Sequence, residues 1–512
     1  MTIFMAVTAA FALAAPLPHA NAVSVFRAIP PPVHEHMFRA LGAGGERNLG
    51  SVAAAAGAAP SVIRAAGDGA RAARYVRLKL DVTAYGIAGR GEILVDRATG
   101  RYVRRFDAGP VSEREGWDGT RAWRADATGM PRVEGNADER AAIVTWSQVL
   151  APDAGAMARE HPSRPPDVTA DAAGEVTSVV RHIGHSTERT TFAEYRAASG
   201  FDVPAAIADT SDNGVWSART DGVETPRAVA AGAFAPPPEP RDATLRGVTS
   251  VTLLGRADLP LIPVSVNGVP LRFLLDTGGQ NVITPEAARR AGLDLVGEGT
   301  VGGAGAGLAK IRFASARSVR AGAAEMRDQP FLVLELGPAG PVDGIVGYEL
   351  LARFAARLDP AHERLELAQD ARALAPGGVA VPMVFADRQP QVDGAIDGIP
   401  GAMTLDTGSA SSVDVNTPFV LAHDLRAKYH AEAGGYPISG VGGPVHAYFA
   451  HANELRLGDL TVPDVNVLLT DAHAGVEADP TIAANVGEQV LRRFALVLDY
   501  RRATLHFEPL PR

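Results

Sequence analysis

The stretch LRFLLDTGGQNVIT (residues 271–284) runs apolar into a carboxylate, Asp276, and follows it with Thr-Gly-Gly. A strand that ends on an acid is an odd way to finish a core, because a buried carboxylate is costly unless something pairs with it. A second stretch, GAMTLDTGSASSVDV (401–415), repeats the pattern around Asp406. The likeness extends outward from both loops. VNGVPLRFLLDTG (266–278) parallels IDGIPGAMTLDTG (396–408), each with a polar-Gly turn and a proline ahead of the strand that ends at Asp-Thr-Gly. A Thr-Pro pair follows each loop, Thr284-Pro285 and Thr417-Pro418, the pattern of a helix N-cap and a proline at the first helical position.

Farther along, IVGYELLARFAARLDPAHERLEL (345–367) parallels NVGEQVLRRFALVLDYRRATLHF (485–507) at a constant offset of 140. Val346, Gly347, Leu351, Arg353, Phe354, Ala355, Leu358, Asp359 and Leu365 recur as identical residues. The second half of the chain is therefore an internal duplication, with lobe 1 at 243–370 and lobe 2 at 378–510, joined near ALAPGGVAV.

Two Asp-Thr-Gly loops, each closing an apolar strand and heading an equivalent repeat, resemble the retropepsin-like and pepsin-like aspartic proteases, specifically the bacterial retropepsin-like type. The resemblance covers about half of the 512 residues and includes the later apolar-apolar-Gly element, Ile345-Val346-Gly347 and Asn485-Val486-Gly487. Asn485 departs from the apolar rule at its position. The resemblance implies two β-barrel lobes paired within one chain, with Asp276 and Asp406 as a catalytic dyad that acts on a peptide or protein substrate. It also implies that Thr277 and Thr407 each bond the opposite loop, and that Gly278 and Gly408 leave their amide N–H groups free for the carboxylates. Ser409 is able to donate a hydroxyl to Asp406, whereas Gly279 has none to offer Asp276. VGGAGAG (301–307), with Gly302, Gly303 and Gly305, occupies the place of the substrate-covering flap, and ISGVGGPVHAY (438–448) is its counterpart in lobe 2.

The chemistry explains why two such loops are needed. Peptide hydrolysis requires deprotonating water while the carbonyl oxygen is polarised. Two carboxyls about 3 Å apart cannot both ionise, so the pair presents a base beside an acid. Neither a cofactor nor a metal is called for. His34 and His36 sit two apart, not at the spacing of a helical metal site. Arg353 and Arg493 read as structural partners, and Asp359 and Asp499 as turn-formers at strand ends.

Ahead of the duplication, the Pro-rich FAPPPEPRD (234–242) marks a domain boundary. Residues 23–235 read as a curved antiparallel β-sheet with little helix. Val76, Leu78, Leu80 and Val82 alternate with polar neighbours, and hairpins turn at Ala98-Thr99-Gly100 and Asp118-Gly119. One helix is expected over ADERAAIVTWSQVLA (137–151). The fold class is thus mainly β, with 54 Gly and 37 Pro in keeping with turn-rich structure.

A net charge of −9 without basic runs argues against nucleic acid as a partner. The first 22 residues, MTIFMAVTAAFALAAPLPHANA, read as a secretory signal. Ile3–Ala15 is too short to span a bilayer, and Ala20-Asn21-Ala22 offers a small-x-small cleavage site. The expectation is a periplasmic or secreted protein that does not span the membrane and acts as a monomer through intramolecular lobe pairing. Absence of Cys removes disulfides and thiolate chemistry. The competing expectation is a non-catalytic periplasmic binding or carrier protein built on a duplicated protease-like scaffold.

Overall fold

The computed structural model describes residues 59–154, 162–211, 214–254, 259–336, 342–431 and 436–510. The expected signal segment, His34 and His36 lie outside the described residues. The molecule is mainly β, and its first region is one twelve-stranded antiparallel sheet. Tyr75–Ala84 alternates as expected, with Val76, Leu78, Leu80 and Val82 all buried. It pairs with Ile87–Asp96 on one side and with Gly214–Glu224 on the other, so the meander of the first half joins that of the second. The turns fall where the glycines allow positive φ, at Gly100 (72°) and Gly119 (101°).

The helix Ala137–Leu150 is capped by Asn136, whose side chain accepts the amides of Asp138 and Glu139. It packs against Glu113–Trp117 and Ala122–Ala125 from one end of the sheet and Val176–Ile183 from the other, so the sheet curls around it.

Each lobe of the second half is a closed barrel. In lobe 1, Ala324–Val333 pairs with Val282–Ile283, which leads through Gly344–Val346, Val269–Leu275, Leu261–Val266 and Ala309–Ala321 back to Ala324–Val333. Lobe 2 closes in the same order through Gln389–Ile396, Ile399–Leu405, Ala484–Val486, Val413–Val415, Leu460–Thr470 and Gly443–Leu457. Two-residue turns enter both Asp-bearing strands. Asn267-Gly268 (φ 49° and 87°) and Asp397-Gly398 (45° and 80°) have positive φ at both positions, the geometry that suits a twisted hairpin.

A third, six-stranded sheet takes strands from both lobes, with Ala355–Asp359 against Phe494–Asp499 at its centre. The register is Ala356↔Leu498, Arg357↔Val497 and Leu358↔Leu496. Position 497 is 357 + 140, so each repeat pairs about its own counterpart and the pseudo-twofold passes through Arg357 and Val497. Asp359 and Asp499 close the turns beyond these strands, accepting the amides of His362 and Arg502 at 3.1 Å each. Arg353 is buried and forks onto Asp242, while Arg493 reaches exposed carbonyls of Pro463 and Asp464. Thr284 caps its helix by accepting the Ala287 amide. Thr417 differs: the cap position falls on Asn416, and the Thr417 hydroxyl instead takes the Ala472 amide at 2.7 Å and meets Thr470.

The Pro-rich segment is anchored at both ends. Phe234 is buried and its carbonyl accepts the Trp123 indole N–H at 2.9 Å, while Asp242 holds Arg353. Across it, packing is continuous. One apolar core spans both lobes, including Phe273, Leu275, Leu358, Met403, Leu405 and Leu498. A second joins Tyr85, Phe106, Trp146 and Trp216 of the N-terminal sheet to Leu274, Val282, Phe313, Leu332 and Ile345 of lobe 1. Alternation along the strand before Asp276 thus sends Leu275 into one core and Leu274 into the other, which accounts for an uninterrupted apolar run.

Candidate active site

The two Asp-Thr-Gly loops meet at the pseudo-twofold. The Thr277 amide donates to Thr407 Oγ1 (3.1 Å) and the Thr407 amide to Thr277 Oγ1 (3.0 Å). Each hydroxyl then donates across the interface, Thr277 to the Leu405 carbonyl (2.6 Å) and Thr407 to the Leu275 carbonyl (2.8 Å). Four reciprocal bonds, all buried, fix one loop against the other. The Tyr500 hydroxyl, at 3.4 Å from the Thr277 carbonyl, adds a further tie.

This clamp brings Asp276 and Asp406 together, both fully buried. The Gly278 amide donates to Asp276 Oδ1 and the Gly408 amide to Asp406 Oδ1, each at 2.8 Å. Glycine is required here by close approach. A Cβ on Gly408 would stand 2.3 Å from Asp276 Cγ, and one on Gly278 would stand 2.9 Å from Asp406 Cγ. Gly279 is constrained likewise, because a Cβ there would lie 2.7 Å from Asp276 Oδ2. Ser409 carries the side chain that Gly279 lacks, and its hydroxyl sits 2.8 Å from Ser411 Oγ and 3.4 Å from Asp414 Oδ2.

The surroundings of the two acids are unlike. Behind Asp276, Leu274, Ile345 and Val282 lie side by side across three strands and join the core shared with the N-terminal sheet. The equivalent positions behind Asp406 are Thr404, Asn485 and Asp414, paired in the same register and also buried. Asn485 Nδ2 donates to Asp406 Oδ2 at 3.0 Å. The residue that departs from the apolar pattern therefore supplies a second donor to this carboxyl. The signal for it was the amide standing where lobe 1 has Ile345.

Burial, then the facing Asp406 carboxyl and its hydrogen bond, push Asp276 well above the usual carboxylate range, against the opposing pull of the Gly278 and Gly279 amides. Burial also raises Asp414 to about 7, opposed by the Ser411 hydroxyl and reinforced by Asp406.

Above the dyad the two Gly-rich hairpins meet at their tips. The Gly305 amide donates to the Val441 carbonyl (3.0 Å) and the Gly307 amide to the Gly442 carbonyl (2.8 Å), while Gly303 accepts from the Val476 amide (3.0 Å). Gly303 and Gly305 are buried and Gly302 is half-buried. These contacts run through backbone, as a tip without an aromatic side chain requires. The base of the lobe 1 hairpin rests on the N-terminal sheet, where the Glu298 amide donates to the Tyr85 carbonyl and the Tyr85 ring packs on Phe313 with centroids 4.7 Å apart. Beside the lobe 1 loop, a lobe 2 turn contributes Arg388, which donates to Gln280 (2.6 Å), and Gln389, which donates to the Gly278 carbonyl (3.0 Å).

Among the described residues, no helix is long and apolar enough to cross a membrane, and no group of three or more His, Cys, Asp or Glu is arranged to hold a metal ion. A search of the curated proteins returns no match. Residues 262–350 and 392–486 each match the aspartyl protease family. The two matched segments contain the two Asp-Thr-Gly loops and end within or just beyond the two later Gly elements, so each lobe is similar to one domain of the aspartyl protease family.

Proposed function

We propose that the protein is an exported aspartic endopeptidase in which Asp276 and Asp406 form one intramolecular dyad. The observation that carries this is the pair of buried carboxyls presented face to face by equivalent loops. Asp276 is held in its protonated form by burial and by its partner, while Asp406 accepts N–H donors on both oxygens, which favours its charged form. Asp406 then takes a proton from a water as the water oxygen attacks the peptide carbonyl, and Asp276 gives its proton to the developing oxyanion. The paired Gly-rich hairpins part to admit an extended peptide and close over it through backbone contacts. Both carboxyls come from one chain, so pairing within the molecule is favoured over dimerisation. The N-terminal segment directs export to the periplasm or beyond.

The test is cleavage of a peptide library by the purified protein. Hydrolysis blocked by a statine-type transition-state mimic and retained in EDTA is the expected result. A protein that binds peptides without hydrolysing any, across acidic to neutral pH, would instead be a carrier on this scaffold.

A further inference from the structure

Glu477 lies in the segment joining strand Leu460–Thr470 to strand Ala484–Val486, on the short turn Val476–Ala478. One flank of that turn is fastened to the lobe 1 flap, where the Val476 amide donates to the Gly303 carbonyl. The other flank is fastened to lobe 2, where Asn416 Nδ2 donates to the carbonyls of Val476 (2.9 Å) and Asp479 (3.4 Å). The side chain is 1% exposed, and neither carboxyl oxygen has a hydrogen-bond partner among the described residues. The charged groups acting on it are Asp414 and Asp406, both of its own sign. Asp414 has a bare Oδ1 as well.

Several other buried acids are matched with cations: Asp96 with Arg74 and Arg101, Glu139 with Arg132, Glu188 with Arg181. At Glu477, in contrast, a buried carboxyl has only acids as its charged neighbours. Such a group is costly in an empty site unless protonated, and it is compensated when a cation enters. The corresponding segment of lobe 1 presents Leu334, Leu336 and Val342, all packed into the apolar core shared with the N-terminal sheet.

We infer that Glu477, backed by Asp414, is the anionic wall of a side-chain subsite next to Asp406 that selects a lysine or arginine on one side of the scissile bond. This rests on the endopeptidase function proposed above and names the substrate class for it. The ammonium or guanidinium supplies the counter-charge that the fold withholds, and its aliphatic stem passes under the flap. The acids of the described lobe 1 stretch are placed otherwise, Glu335 exposed and Asp343 paired with Arg290, so the preference is confined to one position of the substrate.

The experiment uses the full chain and two peptides alike except for lysine or norleucine at the position that library cleavage identifies. The expected kcat/KM ratio of lysine to norleucine peptide is about 10–100 for the wild type, falling to near one in Glu477→Gln. Asp414→Asn should lower the ratio less, and melting curves establish that both variants are folded. Cleavage without basic enrichment, or a ratio untouched by Glu477→Gln, overturns the inference and leaves the endopeptidase function standing. If no peptide is cleaved, that function fails, and calorimetry with two otherwise identical peptides carrying a central lysine or norleucine still decides the subsite. About tenfold tighter binding of the lysine peptide, lost in Glu477→Gln, supports it, and equal binding contradicts it.

Discussion

Lobes 1 and 2 share topology, turns and register, yet the three-residue floors behind their acids have opposite character. Leu274, Val282 and Ile345 form an apolar floor in lobe 1, and Thr404, Asp414 and Asn485 a polar one in lobe 2. The difference follows from what covers each lobe. The N-terminal sheet lays Tyr85, Phe106, Trp146 and Trp216 into the core that the lobe 1 residues complete. Among the described residues, no donor other than the loop's own amides reaches Asp276 from that side, and burial and the facing Asp406 push its carboxyl well above the usual range. The lobe 2 floor keeps polar groups, and one of them, Asn485, bonds Asp406. Duplication alone would have yielded two equal acids. The added domain covers one floor and not the other, and on the proposed mechanism that difference sets the acid apart from the base.

The largest effect that would break this comparison is loss of either carboxyl. Asp276→Asn and Asp406→Asn should each lower kcat by about 10⁴-fold or more, with the double variant no worse than either single, because a pair sharing one proton acts as a unit. Steady-state hydrolysis of one good peptide measures this. Substantial activity in Asp276→Asn would place the chemistry outside the interlobe dyad.

Making the lobes alike should come next in size. Asn485→Ile gives lobe 2 the lobe 1 residue and removes a donor from Asp406, at an expected cost of about 100-fold in kcat. The acidic limb of the pH–rate profile should move upward, since the carboxylate loses a stabilising bond. A profile that keeps its position would show that Asn485 only fills space.

The clamp is the part the lobes share equally, and it should report on stability. Thr277→Val and Thr407→Val each remove a hydroxyl that both donates and accepts across the interface. Each should cost about 2–3 kcal/mol in denaturant melts, with strong non-additivity in the double variant. Additive losses would mean that the loops are held separately.

The smallest expected effect concerns acid. Burial raises Asp276, Glu477 and Glu488 well above the usual carboxylate range, and Asp387 and Asp414 to about 7. A carboxyl whose folded value is raised contributes stability that is fully present below its unfolded value and is lost as pH climbs through the folded one. The melting temperature should therefore rise by a few degrees from pH 7 to pH 5. Asp414→Asn should flatten that slope. A steeper fall in acid would show that paired acids such as Asp96, held at about 2, dominate instead.

Much of this was legible in the sequence because it is local or periodic. The Asp-Thr-Gly loops, the turns at Asn267-Gly268 and Asp397-Gly398, and the offset of 140 all announce two equivalent barrels. The unlike floors are also written there, as LLDTG against TLDTG and IVG against NVG, but their meaning is not local. Asn485 lies 79 residues from Asp406, and only the register of Ala484–Val486 beside Ile399–Leu405 brings the amide to the carboxyl. The apolar floor of lobe 1 makes sense once the N-terminal sheet is seen to cover it, a contact between segments with no sequence pattern in common. Ser409 illustrates the same limit, since its hydroxyl is engaged by Ser411 and Asp414, contacts that the Asp-Thr-Gly-Ser pattern does not reveal.

The central claim is that the proton of the dyad resides on Asp276 and the charge on Asp406. Carboxyl-¹³C NMR of aspartate-labelled protein, with the two signals assigned by their disappearance in Asp276→Asn and Asp406→Asn, measures this directly. Across pH 5–7 the account predicts a protonated shift for Asp276 and a carboxylate shift for Asp406. Carboxylate shifts for both, or a protonated shift at Asp406, would contradict it.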